Sequence, residues 1–297
     1  MTGILLVDKP EGMSSAGVLR ALKPRLGRTK VGHLGTLDPF ASGLLPLCLG
    51  EATKVARYLL LEDKAYTGTI RLGTATDTLD RTGRCIETAS VPRLDRATVD
   101  AIAARFTGRQ RQVPPMYSAL KRDGVPLYKL ARRGIEVDRA AREIEIARLD
   151  LVLSAADAID FDVACSKGTY VRVLAADLAA ALGTVAHLEA LRRTRVGAFR
   201  LEDATTLAAL LAQAPDAPLP LLPVRTALAG YAAFEAPSPD ELARLRRGQQ
   251  DPLERLPAPR AEGETALLLD GAGNVAAVIE AAGQRLTWRL VRLLASS

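Results

Sequence analysis

Only three cysteines and two histidines occur in the 297 residues of this chain. Cys48, Cys85 and Cys165 are odd in number, far apart and form no C-x-x-C pair, which argues against a disulfide framework or a cysteine-held zinc ion. They read as reduced thiols. With His33 and His187 as the only imidazoles, a metal site has little to draw on, and no metal is expected. No apolar run reaches the roughly 18 residues that a membrane span requires. The opening MTGILLVDKPEG lacks the basic start and long apolar stretch of a secretory leader, so the expected location is the cytoplasm, with no membrane partner. Familiar catalytic signatures are missing as well. Without G-x-x-x-x-G-K-[ST], H-E-x-x-H or G-x-S-x-G, P-loop hydrolysis, zinc proteolysis and α/β-hydrolase chemistry are disfavoured. Aromatic residues, at 4%, are too few for the sugar-stacking walls of a glycosidase.

Positive charge is what the chain does have. Its formal charge is +6, and 32 of its 40 basic residues are arginine, the side chain that grips phosphate oxygens bidentately. A compositional bias toward Ala, Leu and Arg accounts for that total equally well, so distribution matters more. Residues 105–142 hold ten Arg or Lys against three Asp or Glu, a local +7. A solvated surface stretch is the plain reading; charge so concentrated in one sign favours an anionic polymer.

The pattern of elements is mixed. Residues 3–7 read as a short buried strand, and Ser14 or Ser15 caps a helix that runs through Leu22 before Pro24 stops it. A second helix is expected at about 51–61, a strand at 65–73 and a polar turn at 76–83. Asp95 caps a helix through Phe106, and Gly108 follows its end. Residues 159–165 alternate apolar and polar in the manner of a half-buried strand, followed by a helix with Val171, Leu174, Leu178 and Leu182 on one face. Leu191, by periodicity alone, sits in a helix core. Four prolines within residues 215–223 mark a linker. Beyond it, S-P-D-E-L at 238–242 is a capped helix start, and D-G-A-G-N at 270–274 joins two strands, with a last strand at 286–294. Strands and helices without a strict βαβ rhythm predict an α+β fold with a mixed, mainly antiparallel sheet flanked by helices, plus a small C-terminal β-rich module.

One string stands apart. GHLGTLDPFASGLL, residues 32–45, sets Asp38 and Pro39 among glycines and apolar residues. Asp-Pro alone is a common turn former, so Asp38 has a structural reading until its neighbours are considered.

Those neighbours resemble a family. GILLVDKPEGMSS, GHLGTLDPFASGLLPLCLGEATK, DKAYTGTIRLGTATDTLDRTG, VPPMYSALKRDGVPLYKLARRGIEV and CSKGTYVRVLAADLAAALG followed by AHLEALRRTRVG are similar, in that order over residues 3–200, to the blocks of the bacterial tRNA pseudouridine synthase B (TruB) family. The resemblance implies a pseudouridine-synthase fold and conversion of uridine 55 in the T-loop of tRNA to pseudouridine. The N1–C1′ bond breaks, the uracil turns, and C5 joins C1′. No cofactor is needed.

By the same resemblance Asp38 is the nucleophile, acting at uracil C6 or at C1′. Arg172 is its guanidinium partner, balancing the charge that burial would otherwise neutralise. Tyr66 stacks on the extruded base and Tyr170 is a second pocket tyrosine, with core packing as the plain alternative for each. Leu191 is an apolar contact to the base. His33 binds RNA and transfers no proton. His187 is read as structural. Leu34 departs from many members of the family, which have Thr after this histidine. The resemblance further implies that residues 105–142 are an RNA-clamping insertion in a catalytic domain of residues 1–229, and that 230–297 form a PUA-like RNA-binding domain. The expected partner is the T-arm of tRNA, bound by a monomer. A non-catalytic RNA-binding protein or tRNA chaperone remains the alternative, since it would use the same basic stretch without needing Asp38.

Overall fold

The computed structural model describes residues 1–214, 216–235, 238–283 and 286–295. Strand Gly3–Lys9 pairs along its whole length with the antiparallel strand Ser42–Leu49, and both are buried almost throughout. Their side chains alternate between two cores. Leu5, Val7, Leu45, Leu47 and Leu49 enter one, while Ile4, Leu6, Leu44 and Cys48 enter the other. A strand packed on both faces reads as a continuous apolar run, which is why 42–49 carries no alternation in the sequence.

These two strands belong to an 11-stranded, mainly antiparallel sheet. Ser42–Leu49 is followed in the sheet order by Ala186–Val196, then Lys64–Leu72, Ala158–Cys165, Arg142–Ala155 and Gly108–Gln112. The contact between Ser42–Leu49 and Ala186–Val196 is parallel. Helices Ser15–Leu26, Arg96–Phe106 and Val171–Ala181 cover one face, burying Val18, Leu22, Val99, Leu174 and Leu178 against it. The α+β expectation and the antiparallel bias both describe this arrangement.

Several elements differ from the sequence reading. The first helix passes through Pro24 and ends at Leu26, because buried Leu26 ties its last turn to the core and Gly27, at φ +55°, closes it with an N–H bond to the Lys23 carbonyl. The expected helix at 51–61 is divided into a 3₁₀ turn, Gly50–Lys54, and a short helix, Ala56–Leu60. Leu191 lies in a strand, Ala186–Val196, and not in a helix. The proline-rich stretch is packed: Leu221 and Leu222 pair with Leu5 and Ile4, and Arg25 Nη2 donates to the Ala217 carbonyl at 2.7 Å. Its interspersed leucines have a core to enter, so they dock where a free linker was expected. Pro215, at its start, lies outside the described residues.

A second sheet of four strands contains Ala232–Glu235, Thr265–Leu269, Val275–Ala282 and Thr287–Leu293. Helix Pro239–Arg246 begins with the expected capping box from Ser238 and Glu241. Leu267, Val275 and Val278 of this module share an apolar cluster with Ile4 and Leu44 of the large sheet and Tyr58 of helix Ala56–Leu60. The module is thus joined to the sheet's second face by burial.

Candidate active site

The stretch around Asp38 is a loop between strands Val31–His33 and Ser42–Leu49. It is held from several sides. Ser15 Oγ accepts from the Leu37 amide at 2.8 Å and donates to its carbonyl at 3.1 Å, while the Ala41 amide closes a turn onto the Asp38 carbonyl at 3.1 Å. The Pro39 carbonyl accepts from Gly12 N at 2.8 Å. Gly43, at φ +99°, lets this chain run against the next strand: a Cβ there would lie 2.3 Å from the Arg193 carbonyl oxygen.

Arg172, in the first turn of helix Val171–Ala181, points into the loop and is 5% exposed. Its Nε lies 2.9 Å from Asp38 Oδ2, Nη1 donates to the Thr78 carbonyl at 2.7 Å, and Nη2 donates to the Tyr117 carbonyl at 2.7 Å. Buried Asp80 sits 3.9 Å from Nη1 and is itself fixed by Thr78 Oγ1 at 2.9 Å and the Thr82 amide at 3.0 Å. The turn that offers Thr78 to the arginine carries Leu79 at φ +62°, an uncommon conformation for a branched apolar residue. Burial pushes the Asp38 carboxyl above its ordinary range; Arg172 pulls it back, and nearby Asp80 pushes it up again.

Asp38, Tyr66, Tyr170, Arg172 and Leu191 all line one cleft of about 270 Å³, room enough for a nucleobase. Tyr66 enters it from strand Lys64–Leu72, and Leu191 from Ala186–Val196. Tyr170 caps the Arg172 helix, with its backbone clamped by the Gln112 side-chain amide at 2.8 and 3.1 Å. Burial raises the pKa of both tyrosines, which keeps them protonated at neutral pH.

His33 is not among the residues lining that cleft. It sits at the end of its short strand, and burial together with the Arg193 charge lowers its pKa, which favours a neutral ring. Leu34 is fully buried in the second core with Leu44 and Cys48, so its side chain leaves the loop toward the opposite side of the sheet. His187 is buried, its Nδ1 2.8 Å from the Thr74 carbonyl.

Sequence reading missed five residues of this surrounding. Lys9, fully buried, donates from Nζ to the carbonyls of Pro10 at 2.8 Å, Met13 at 2.6 Å and Pro39 at 3.4 Å, and feels the Asp38 charge. Lys64 and Arg193 line the cleft; Asp80 and Gln112 brace it from behind. Lys9, Lys64 and Asp80 stand inside the quoted blocks VDKPEG, DKAYTG and DTLDRTG, where a charged residue in a motif was the available signal. Among the described residues, no three His, Cys, Asp or Glu side chains converge as metal ligands, and no helix is long and apolar enough to cross a membrane.

Comparison with known proteins places these residues in a family. The model of the TruB family pseudouridylate synthase N-terminal domain matches residues 23–171, and that of the tRNA pseudouridylate synthase B C-terminal domain matches 172–228. The tRNA pseudouridine synthase B of Aromatoleum aromaticum is 52% identical over 229 residues, covering 77% of this chain and 74% of its own length. That of Burkholderia lata is 48% identical over 296 residues, covering 98% of this chain and 90% of its own. Among solved structures, a Cbf5-Nop10-Gar1 complex aligns with a TM-score of 0.71 at 22% identity, covering 98% of this chain and 84% of the matched one. An H/ACA RNP bound to a substrate RNA containing 2′-deoxyuridine also gives 0.71, at 20% identity, over 99% of this chain and 85% of the matched one. At such identities these likenesses speak for the fold: a mixed sheet flanked by helices, with a small C-terminal β domain. The chain belongs to the TruB family of pseudouridylate synthases.

Proposed function

We propose that this protein converts uridine 55, in the T-arm of tRNA, to pseudouridine, with Asp38 as the nucleophile. The observation that carries the reading is the Arg172–Asp38 pair, 2.9 Å apart, at a cleft walled by Tyr66, Tyr170 and Leu191. The uridine leaves its stack and enters this cleft against Tyr66 and Leu191. The Asp38 carboxylate attacks at C6 or at C1′, the N1–C1′ bond breaks, and the ring turns. C5 then bonds to C1′, the C5 proton departs, N1 takes a proton, and Asp38 is released. Substrate and product have the same atoms and oxidation state, so the sequence of steps balances without a co-reactant.

Residues 1–229 supply this chemistry. The basic insertion, 105–142, holds tRNA phosphates, and the Tyr117 carbonyl on Arg172 ties it to the reacting end of the cleft. Residues 230–297 act as a PUA-like second contact to RNA; the last two, 296–297, lie outside the described residues. His33 contacts RNA beside the cleft as a neutral ring. The protein acts as a monomer in the cytoplasm, where tRNA is matured.

The test is to incubate the protein with a tRNA transcript tritiated at uracil C5. One equivalent of tritium should be released, and the product should carry pseudouridine at position 55. Binding without release would support the tRNA-chaperone alternative, and release from another position would refute the assignment of the uridine.

A further inference from the structure

Arg193 is one of the largest side chains in the molecule to be almost wholly enclosed, at 1% exposure. Among the described residues, no carboxylate pairs with it. Its Nε donates to the Leu44 carbonyl at 2.8 Å and Nη2 to that of Gly35 at 3.1 Å, and its charge acts on the neighbouring Tyr66 hydroxyl. A buried cation bonded only to neutral groups costs free energy unless some other charge answers it. Its neighbours register that excess: the Arg193 charge helps to lower the pKa of Lys9, His33 and Lys64.

The position of Arg193 is set by the sheet. In the antiparallel pairing of Ala186–Val196 with Lys64–Leu72, Arg193 is the register partner of Tyr66, so the two side chains stand side by side on the cleft-facing surface. Both line the cleft with Asp38. Uridine enters as a neutral base, yet its ring becomes anionic on either route proposed above. Attack at C6 places an electron pair on the ring as an enolate, and cleavage of N1–C1′ leaves the bonding pair on the detached uracil. A fixed charge at the cleft wall acts on that state and hardly at all on the bound substrate, which is the condition for accelerating the step.

We propose that Arg193 supplies the positive charge that answers the anionic uracil ring during the isomerisation, acting from the cleft wall beside Tyr66. Arg193 is thus a positioning and electrostatic residue of the reaction, beyond its part in the packing. The inference rests on the pseudouridine reading.

Three variants, Arg193→Met, Arg193→Gln and Arg193→Lys, are compared with wild type by single-turnover tritium release, tRNA affinity and thermal melting. The wild-type control separates the two claims, since a wild type that releases no tritium refutes the function itself. With an active wild type, the neutral variants are expected to bind tRNA normally but to react on the order of 10²-fold more slowly, and the lysine variant to recover part of the rate. A second substrate, tRNA carrying 5-fluorouridine at the target, has a ring that bears negative charge more easily. Its N1–C1′ cleavage, followed in one turnover, should show a smaller deficit in the neutral variants than uridine does. A wild-type rate in a folded neutral variant, equal deficits on both substrates, or a lysine variant no faster than methionine would overturn the proposal. So would failure of both neutral variants to melt cooperatively, because the role would then be structural.

Discussion

Arg172 reaches Asp38 with its Nε, at 2.9 Å, while both of its terminal nitrogens are held by backbone carbonyls, Thr78 on Nη1 and Tyr117 on Nη2. The guanidinium therefore has one orientation, and the carboxylate is aimed by a group that cannot turn away. A lysine has no planar fork and cannot satisfy three partners in this geometry. Arg172→Lys is expected to lower the single-turnover rate on the order of 10²-fold while tRNA affinity is kept. In Arg172→Met the acid limb of the pH–rate profile should move upward, because the charge that lowers the Asp38 pKa has gone.

Lys9 offers a test by stability. Burial brings its pKa from 10.5 down to about 8. Between those values the unfolded chain holds more protons than the folded one, so this group's contribution to stability rises with pH across that window and is an undiminished penalty below it. Urea unfolding of wild type and Lys9→Met should show the wild type gaining on the variant from pH 8 to 10.5, by on the order of 3 kcal/mol. A constant difference across the window would contradict a buried, charged Lys9.

Gly43 and Gly108 separate crowding from backbone strain. Their φ values are alike, +99° and +101°, but a Cβ at Gly43 would stand 2.3 Å from the Arg193 carbonyl, whereas at Gly108 nothing lies within 4 Å. Gly108→Ala should lose only the strain, about 1–2 kcal/mol in denaturant unfolding. Gly43→Ala should lose more than about 3 kcal/mol or fail to fold, because the close approach of two strands beside the cleft is forbidden.

The basic insertion is tested by salt. Lys129 and Arg133 are both exposed. Replacing both by alanine should make the plot of log affinity for tRNA against log salt shallower by about 1.4 to 1.8, the slope expected for two lost phosphate contacts. The rate at saturating tRNA should be unaffected, and an unchanged slope would remove these two residues from the RNA-binding face.

The sequence is readable where one face of an element is wet. Ala158–Cys165 alternates, and so does its burial, and the Asp95 and Ser238 caps open helices at the expected places. Ser42–Leu49 was hidden because both of its faces are buried, leaving no period to detect. Ala186–Val196 was misread for a different reason. Bulges between Leu188 and Ala190 and between Arg193 and Arg195 interrupt its alternation, so that Leu188 and Leu191 are spaced as on a helix. In the cleft, Asp38, Tyr66, Tyr170, Arg172 and Leu191 were reached through motif resemblance. Lys64, Asp80 and Arg193 stand as charged residues in the quoted blocks, but their roles, like that of Gln112, depend on contacts between distant segments that the blocks do not reveal.

The most direct measurement concerns Asp38 alone. Asp38→Asn keeps the side chain's shape and removes the nucleophile, so tritium release in one turnover should fall to background while the variant binds tRNA as wild type does. A wild-type rate in this variant, with pseudouridine formed at position 55, would contradict the account.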